Sequence, residues 1–492
     1  MGIEIEDKFD VPPEYRLPDL SGLGDVTGPE SYRLVALYYD TPDLRLASRG
    51  VTLRRRRGGS DAGWHLKLPK AKGVRQEITH PLTRGTKVVP EELAELVRAY
   101  TRGAELRQVA ELDTRRSVTV LSDGARRLVE VADDRVKGTV FGDEPKIVRW
   151  REVEAELLED GTTRVLAKVG KRLRKAGAAP SGAASKLAKL LEPAPLPTAP
   201  TKSGSAGEIV MGYLEGQVKA LLSQDPQVRR AEEDAVHQMR VAARRLRSAL
   251  KAFKTIVSET EPLQEELRWL GTVLGEARDL EVIRARFAKE LAGLAPELVT
   301  GPIQARLGSD LLEREQEAYG RIKETLSGDR YYLLLDALDR LVGGPVLGKA
   351  AARQAQDELR GIAAANWGRV TKRYDAAQAI DDLERRELAM HDVRKAAKRA
   401  RYTAEALQPS LGPDMGRLAK LAENVQEILG AHQDGVVAQE RLAKEAESAR
   451  QAGEDTFTYG LLIGIERNVA ERAHAEFPRV WKETVKAVTK VL

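Results

Sequence analysis

A chain of 492 residues with no cysteine, and with 80 basic against 75 acidic side chains, can form neither disulfides nor a thiolate nucleophile nor a zinc–thiolate site. The formal net charge of +5 is small beside those totals, so charge must lie in patches, and aromatics at 5% of residues argue against modules that stack nucleic-acid bases. The length allows two or three domains, no apolar run of about eighteen residues could span a bilayer, and the acidic start MGIEIEDKFD lacks a secretory layout, so a soluble cytoplasmic protein is expected.

The first part of the chain reads as short strands of alternating character, broken by Gly, Pro and Asp turns. Glu4, Glu6 and Lys8 alternate, which puts them on one face of a strand, with Ile3, Ile5 and Phe9 on the other. The run Leu53-Arg54-Arg55-Arg56-Arg57 places either Arg54 and Arg56 or Arg55 and Arg57 on a given face. His65 pairs in phase with Lys67, and Arg75 with Glu77; Glu130, Ala132 and Asp134 align, as do Glu152, Glu154 and Glu156. A single charged strand face ordinarily meets water. Several in succession suit a closed barrel whose interior is charged and whose apolar faces pack under helices. Many glutamates cannot ionise together in one lumen without cations beside them, so a hard divalent ion such as Mg²⁺ or Mn²⁺ is expected.

The Glu-x-Glu-x-Lys opening, Tyr39-Asp40-Thr41, the Leu-Arg-x-Arg strand, the Leu-Lys strand, the late Glu-rich strands and Ser185-Lys186 together resemble the CYTH, or triphosphate tunnel, family over residues 1–192. The resemblance implies an α+β antiparallel tunnel barrel. It further implies Glu4, Glu6 and Lys8 as a catalytic set, and Glu4, Glu6, Glu130, Asp134, Glu152, Glu154 and Glu156 as metal ligands or water-orienting groups. Lys8, Arg54, Arg56, Lys67 and one of Arg115 or Arg116 would bind the triphosphate.

Residues 193–205, rich in Pro, Ala, Ser and Gly, read as a semi-extended linker. Beyond it Ala, Leu, Glu, Arg and Lys dominate with helical periodicity. A stripe of His237, Arg240, Arg244, Arg247 and Lys251 in steps of three and four recurs 154 residues later as His391, Arg394, Lys398 and Arg401, with Arg245, Lys395 and Arg399 widening the faces. Val273-Leu-Gly-Glu-Ala-Arg-Asp279 likewise recurs, at an offset of 155, as Ile428-Leu-Gly-Ala-His-Gln-Asp434. Two matches at nearly one spacing indicate a duplicated helical bundle. One cationic stripe is most simply a solvated face. Its recurrence at fixed spacing points to a phosphate-rich polyanion held by guanidinium groups.

These helices, each followed by a Leu-Gly-x-x-x-Asp turn, resemble a CHAD domain over residues 206–492, with repeat halves at about 206–343 and 346–492. The resemblance implies two pseudo-repeated four-helix bundles that bind inorganic polyphosphate through His237, Arg240, Arg244, Arg245, Arg247, His391, Arg394, Lys395, Lys398, Arg399 and Arg401. No P-loop, His-Glu-x-x-His helix or Gly-x-Ser-x-Gly elbow occurs. The expected function is metal-dependent hydrolysis of inorganic triphosphate or a related phosphate chain by the barrel, with polyphosphate bound by the helices. Association with polyphosphate granules is part of that expectation. A non-catalytic polyphosphate-binding or localisation protein and, less favoured, an adenylate cyclase are the alternatives. Nucleic acid is not the expected ligand.

Overall fold

The computed structural model describes residues 2–59, 61–71, 73–82, 87–142 and 144–492. The chain divides into two compact units, Met1–Leu196 and Pro197–Leu492.

The first unit is a closed antiparallel barrel. Strands β1 (Gly2–Asp10), β2 (Asp25–Asp40), β3 (Thr52–Arg57), β4 (Gly63–Ala71), β5 (Val74–His80), β6 (Arg107–Asp123), β7 (Arg126–Val140) and β8 (Lys146–Leu157) follow the order β5-β4-β3-β2-β6-β7-β8-β1, and β5 pairs back onto β1. A two-residue strand, β9 (Ala179–Pro180), adds to Phe9 and Asp10 of β1. Strict alternation splits the faces. Val153 and Ala155 of β8 and Phe9 of β1 lie in an outer core with Leu166, Val169 and Leu173 of α2 (Thr163–Lys175), so the glutamates between them must face inward. On another side, Leu53, Trp64 and Leu66 pack under Leu93, Leu96 and Val97 of α1 (Glu91–Thr101).

The third helix, α3 (Lys186–Leu191), does something different. Its Leu187 and Leu190 join Ala36, Tyr38, Leu112 and Val136, residues of the inward phase, and so plug the barrel. The Ser185 side chain caps the helix by accepting from the Ala188 N–H at 3.0 Å.

The second unit is helical: α4 (Ala206–Arg229), α5 (Ala235–Ala252), α6 (Glu261–Ala292), α7 (Leu311–Leu326), α8 (Asp329–Gly343), α9 (Ala355–Gln378), α10 (Leu383–Leu411), α11 (Pro413–Gln451) and α12 (Phe457–Val488). Gly412, at φ 88°, turns the chain between α10 and α11, and Pro413 opens the next helix. The duplication is visible in the backbone. Ala206 N donates to Arg353 O at 2.9 Å and Ala355 N to Gly204 O at 3.2 Å, so α4 and α9 start side by side as reciprocal partners. The Leu-Gly-x-x-x-Asp segments are not turns: Asp279 lies within α6 and Asp434 within α11.

An acidic pair is built into this unit where α6 meets α12. Arg286 forks onto fully buried Glu466, and burial together with Glu466 pushes Glu290 up to about 8. Glu290 holds a proton in the folded state that the unfolded chain releases near 4.5. Its contribution to stability is therefore complete below that value and is lost as pH rises towards 8. Glu290→Gln should flatten the stability–pH curve between about pH 5 and 8 and exceed wild type above it. Urea unfolding across that range checks this, and an unchanged slope would contradict it.

Candidate functional site

The barrel register stacks the inward side chains in rows. Glu6 stands opposite Glu156, and Glu156 opposite Glu130, across β1, β8 and β7. The next row is Lys8, Glu154 and Ala132; the one after is Asp10, Glu152, Asp134 and, on β6, Arg116. A carboxylate wall thus comes from β1, β7 and β8. The facing wall carries Arg54 and Arg56 from β3, Lys67 from β4 and Arg116 from β6. Between them lies a cavity of about 270 Å³ lined by Glu4, Glu6, Lys8, Arg54, Arg56, Lys67, Arg116, Glu130, Glu154 and Glu156, with Arg75, Glu77 and Lys186.

Of the residues singled out from the sequence, ten therefore meet in one cavity. Asp134 and Glu152 lie deeper and are buried. Arg115 does not belong: it is exposed on the outer face of β6, and Arg116 takes the inward position. The four-arginine run resolves to Arg54 and Arg56 inside, with Arg55 turned into the outer layer opposite Trp64.

Lys186 was not among the expected site residues and is central. Its ammonium lies 3.0 Å from Asp134, 2.8 Å from Glu152 and 2.6 Å from Glu154. Burial opposes its charge, but Glu154, Asp134 and Glu152 hold its pKa above that of ordinary lysine. Other cations share the carboxylates. Lys8 pairs with Glu6 at 2.8 Å and with Glu154, Lys67 with Glu4 at 2.6 Å, and Arg116 with Asp134 at 2.6 Å and Glu154 at 2.7 Å. Glu77, noted in the sequence only for sharing a face with Arg75, accepts from His65 Nδ1 at 2.8 Å, which gives that histidine a structural partner.

Two features remain unbalanced. Burial, then Glu4, Glu6 and Glu154 push Glu156 up to about 7 against the pull of Lys67. Burial and the neighbouring Arg54 and Arg116 push Arg56 down to about 9, and the buried Nε atoms of Arg54 and Arg56 have no hydrogen-bond partner among the described residues. The neutralisation is partial on both walls: Arg56 pairs with Asp61 through Nη2, and no ion pair reaches Glu156 among the described residues. Among the described residues no three His, Asp or Glu groups are gathered closely enough to hold a metal, because lysines already sit on several carboxylates. The donor set nevertheless fits a hard divalent cation: it is all carboxylate oxygen, and the crowding around Glu156 is what such an ion relieves.

In the helical unit the stripes face each other from α5 and α10. Arg240 pairs with Asp279 at 2.8 Å, and Arg394 with Asp434 at 3.7 Å. A Cβ built on Gly275 would lie 3.3 Å from Arg240, and one on Gly430 3.0 Å from Arg394; each glycine leaves room for the guanidinium. Burial, Arg394 and Arg244 push Lys398 down to about 8. Arg244 Nε, Arg394 Nε and His391 Nδ1 are buried without hydrogen-bond partners among the described residues. Burial lowers the pKa of both His237 and His391. Lys395 is tied to Asp392 at 3.2 Å. Arg245 and Arg401 are drawn aside by Glu405, at 3.0 and 2.6 Å, and lie over the Tyr402 ring. Burial, then Arg369 and Arg373 of α9 and Arg247 of α5, lower the pKa of Arg399.

These arrangements agree with comparisons to known proteins. Residues 2–190 match the CYTH domain model and residues 212–443 the CHAD domain model. The chain is 39% identical over 512 residues to two Mycobacterium tuberculosis proteins, Uncharacterized protein MT2285 and Uncharacterized protein Rv2226, covering 99% of this chain and 97% of each of those. It therefore belongs to the family of proteins that join a CYTH domain to a CHAD domain. Among solved structures, PptA from Streptomyces chartreusis is similar at 24% identity and a TM-score of 0.46, over 56% of this chain and 99% of that one. The CHAD domain of Ricinus communis is similar at 24% and 0.42, over 60% and 93%. A Hippeastrum protein described as a putative adenylyl cyclase with a dominant triphosphatase activity is similar at 17% and 0.24, over 39% and 96%. Among the described residues no helix is long and apolar enough to cross a membrane.

Replacing Lys186 by Met leaves Asp134, Glu152 and Glu154 without their shared cation, and should cost roughly 3–5 kcal/mol of stability. Added Mg²⁺ should raise the melting temperature of Lys186→Met more than that of wild type. Equal melting temperatures without metal would contradict this role.

Proposed function

We propose that the barrel hydrolyses inorganic triphosphate, or the end of a related phosphate chain, with a divalent cation, and that the helical unit binds inorganic polyphosphate. The observation that carries the reading is the two-walled cavity: the unpartnered Nε donors of Arg54 and Arg56 share it with a carboxylate wall in which Glu130 and Glu156 have no ammonium partner among the described residues. CYTH-family enzymes are metal-dependent and act on phosphoanhydrides. Mg²⁺ or Mn²⁺ fits the donor set, and Glu4, Glu6, Glu130 and Glu156 are the residues that would hold it.

When bound, such an ion neutralises charge on phosphoryl oxygens. Arg54, Arg56, Lys67 and Arg116 hold the phosphate chain by charge-assisted hydrogen bonds, so its terminal phosphorus lies near the carboxylate wall. Lys8 bridges the walls through Glu6 and Glu154. A carboxylate there orients water and takes its proton as the water oxygen bonds to the terminal phosphorus and the P–O anhydride bond breaks, which gives orthophosphate and expels pyrophosphate or the shortened chain. Asp134 and Glu152 position Lys186 and Arg116 rather than touching substrate.

A non-catalytic binding role is the second reading. The ammonium groups of Lys8, Lys67 and Lys186 on the carboxylates favour it, since they neutralise the wall without metal. Phosphate release separates the two. Wild type with Mg²⁺ or Mn²⁺ should release phosphate from triphosphate, and Glu4→Gln/Glu6→Gln should lose at least about a hundredfold in rate at a temperature where circular dichroism shows it still folded. No wild-type turnover would leave the binding role. Cyclic AMP and pyrophosphate formed from ATP would instead indicate a cyclase.

In the helical unit, the open donors of Arg244 and Arg394 beside Lys398 support a phosphate ligand. Long-chain polyphosphate should resist displacement from the full chain by short RNA at equal phosphate concentration. Displacement would overturn that assignment. Salt dependence alone cannot decide, because both polyanions release counterions.

A further inference from the structure

The motif helices of the two halves carry matching cationic stripes, but differ in charge towards the ends of those stripes. On α5 and α10 the 154-residue offset equates Arg247 with Arg401, Arg245 with Arg399 and Lys251 with Glu405. The starts of α4 and α9, which exchange reciprocal backbone hydrogen bonds, match at an offset of 149. Under that offset Arg369 and Arg373 of α9 stand where α4 has Ala220 and Gln224.

On one side the arginines are neutralised within the fold. Arg245 and Arg401 share Glu405 at 3.0 and 2.6 Å, and Arg401 also reaches Glu423 at 2.7 Å. On the other side Lys251 replaces that glutamate. Arg268 stands in place of Glu423 and is taken up by Glu265. Arg247, Lys251 and Arg399 have no carboxylate partner among the described residues, and α9 adds two more arginines. Among the described residues the balance on this side is Arg373 on Asp392 at 3.2 Å and Arg369 on the neutral Asn366 at 3.3 Å. The five act on one another. Arg399 lowers the pKa of Lys251 first, with burial, Arg247, Arg373 and Arg369 adding to it; burial, then Arg369, Arg373 and Arg247 lower that of Arg399.

We propose that Arg247, Lys251, Arg399, Arg369 and Arg373 form a second anion site, absent from the matching half, that holds the continuation of a linear phosphate chain seated on Arg240, Arg244, Arg394 and Lys398. This rests on the polyphosphate reading above. A solvated face would spread its cations outward, whereas here half-buried Arg399 of α10 meets cations from two other helices, α5 and α9. Relative to the matching half three positions become cationic, Lys251 for a carboxylate and Arg369 and Arg373 for neutral residues, against one acid gained, Asp392 where α5 has Gln238. The track is continuous, because Arg240, Arg244, Arg247 and Lys251 follow one another along α5 over about 16 Å. A short oligophosphate engages one cluster and a long chain both, so the second site sets preference for chain length.

The test restores the symmetry. Lys251→Glu/Arg369→Ala/Arg373→Gln installs the residues of the matching half at exposed positions. The variant is made in the full chain with Arg54→Ala and Arg56→Ala, to remove binding by the barrel. Affinity for long-chain polyphosphate should fall about tenfold or more and its salt slope should decrease, while affinity for tripolyphosphate stays within about twofold. Charge-only Lys251→Gln/Arg247→Gln should reproduce the direction, and circular dichroism confirms the helices. Arg244→Ala is the control for the underlying reading and should weaken both ligands. If Arg244→Ala weakens binding and the symmetrised variant does not, the second site is refuted and the first stands. If neither has an effect, the polyphosphate reading itself fails. Loss of short-RNA binding with polyphosphate affinity intact would overturn the ligand assigned here.

Discussion

Inward-facing charge is the constraint on which this protein depends. A closed antiparallel barrel sends alternate residues to its interior, and in this chain those residues are glutamates, arginines and lysines rather than the apolar side chains of a filled core. Buried charges are tolerated only when paired, so the barrel must supply cations to its own carboxylates. It does so with Lys8 and Lys67 from strands and with Lys186 delivered by the helix that plugs one end. The pairing is incomplete on both walls. Glu156 remains crowded by carboxylates, and Arg56, although paired with Asp61, keeps a buried Nε without a partner among the described residues. A metal ion and a phosphate chain together would complete what the fold leaves open.

The helical unit meets the same problem on a surface. Cationic stripes on two helices repel, and the fold offsets part of that repulsion with Asp279, Asp434 and Glu405. Gly275 and Gly430 serve the same end by letting guanidinium groups lie close against a helix backbone. Where internal acids are missing, an external anion can take their place.

Much of this was legible in the sequence because the periods were strict. Two-residue alternation exposed the carboxylate strands, and the 154-residue recurrence exposed the duplicated helices. What failed had local causes. Arg115 and Arg116 could not be separated because both faces of β6 are polar there, with Asp113 paired outward to Arg33 at 2.6 Å. In the sequence Lys186 stands out only as part of the Ser185-Lys186 pair of the family pattern, with no role attached, and only the plugging position of α3 brings it among three carboxylates. Glycine suggested turns at Leu-Gly-x-x-x-Asp, but there it provides room for an arginine inside a helix. Arg369 and Arg373 escaped notice because α9 matches α4 at a different offset from that of the motif helices.

The most direct test of the central claim is phosphorus NMR of inorganic triphosphate incubated with the full chain and Mg²⁺ or Mn²⁺. Appearance of orthophosphate and pyrophosphate in equal amounts, abolished by chelation of the metal, is the result expected of a triphosphatase barrel. An unchanged triphosphate spectrum with either metal, from protein that nevertheless binds triphosphate, would contradict it.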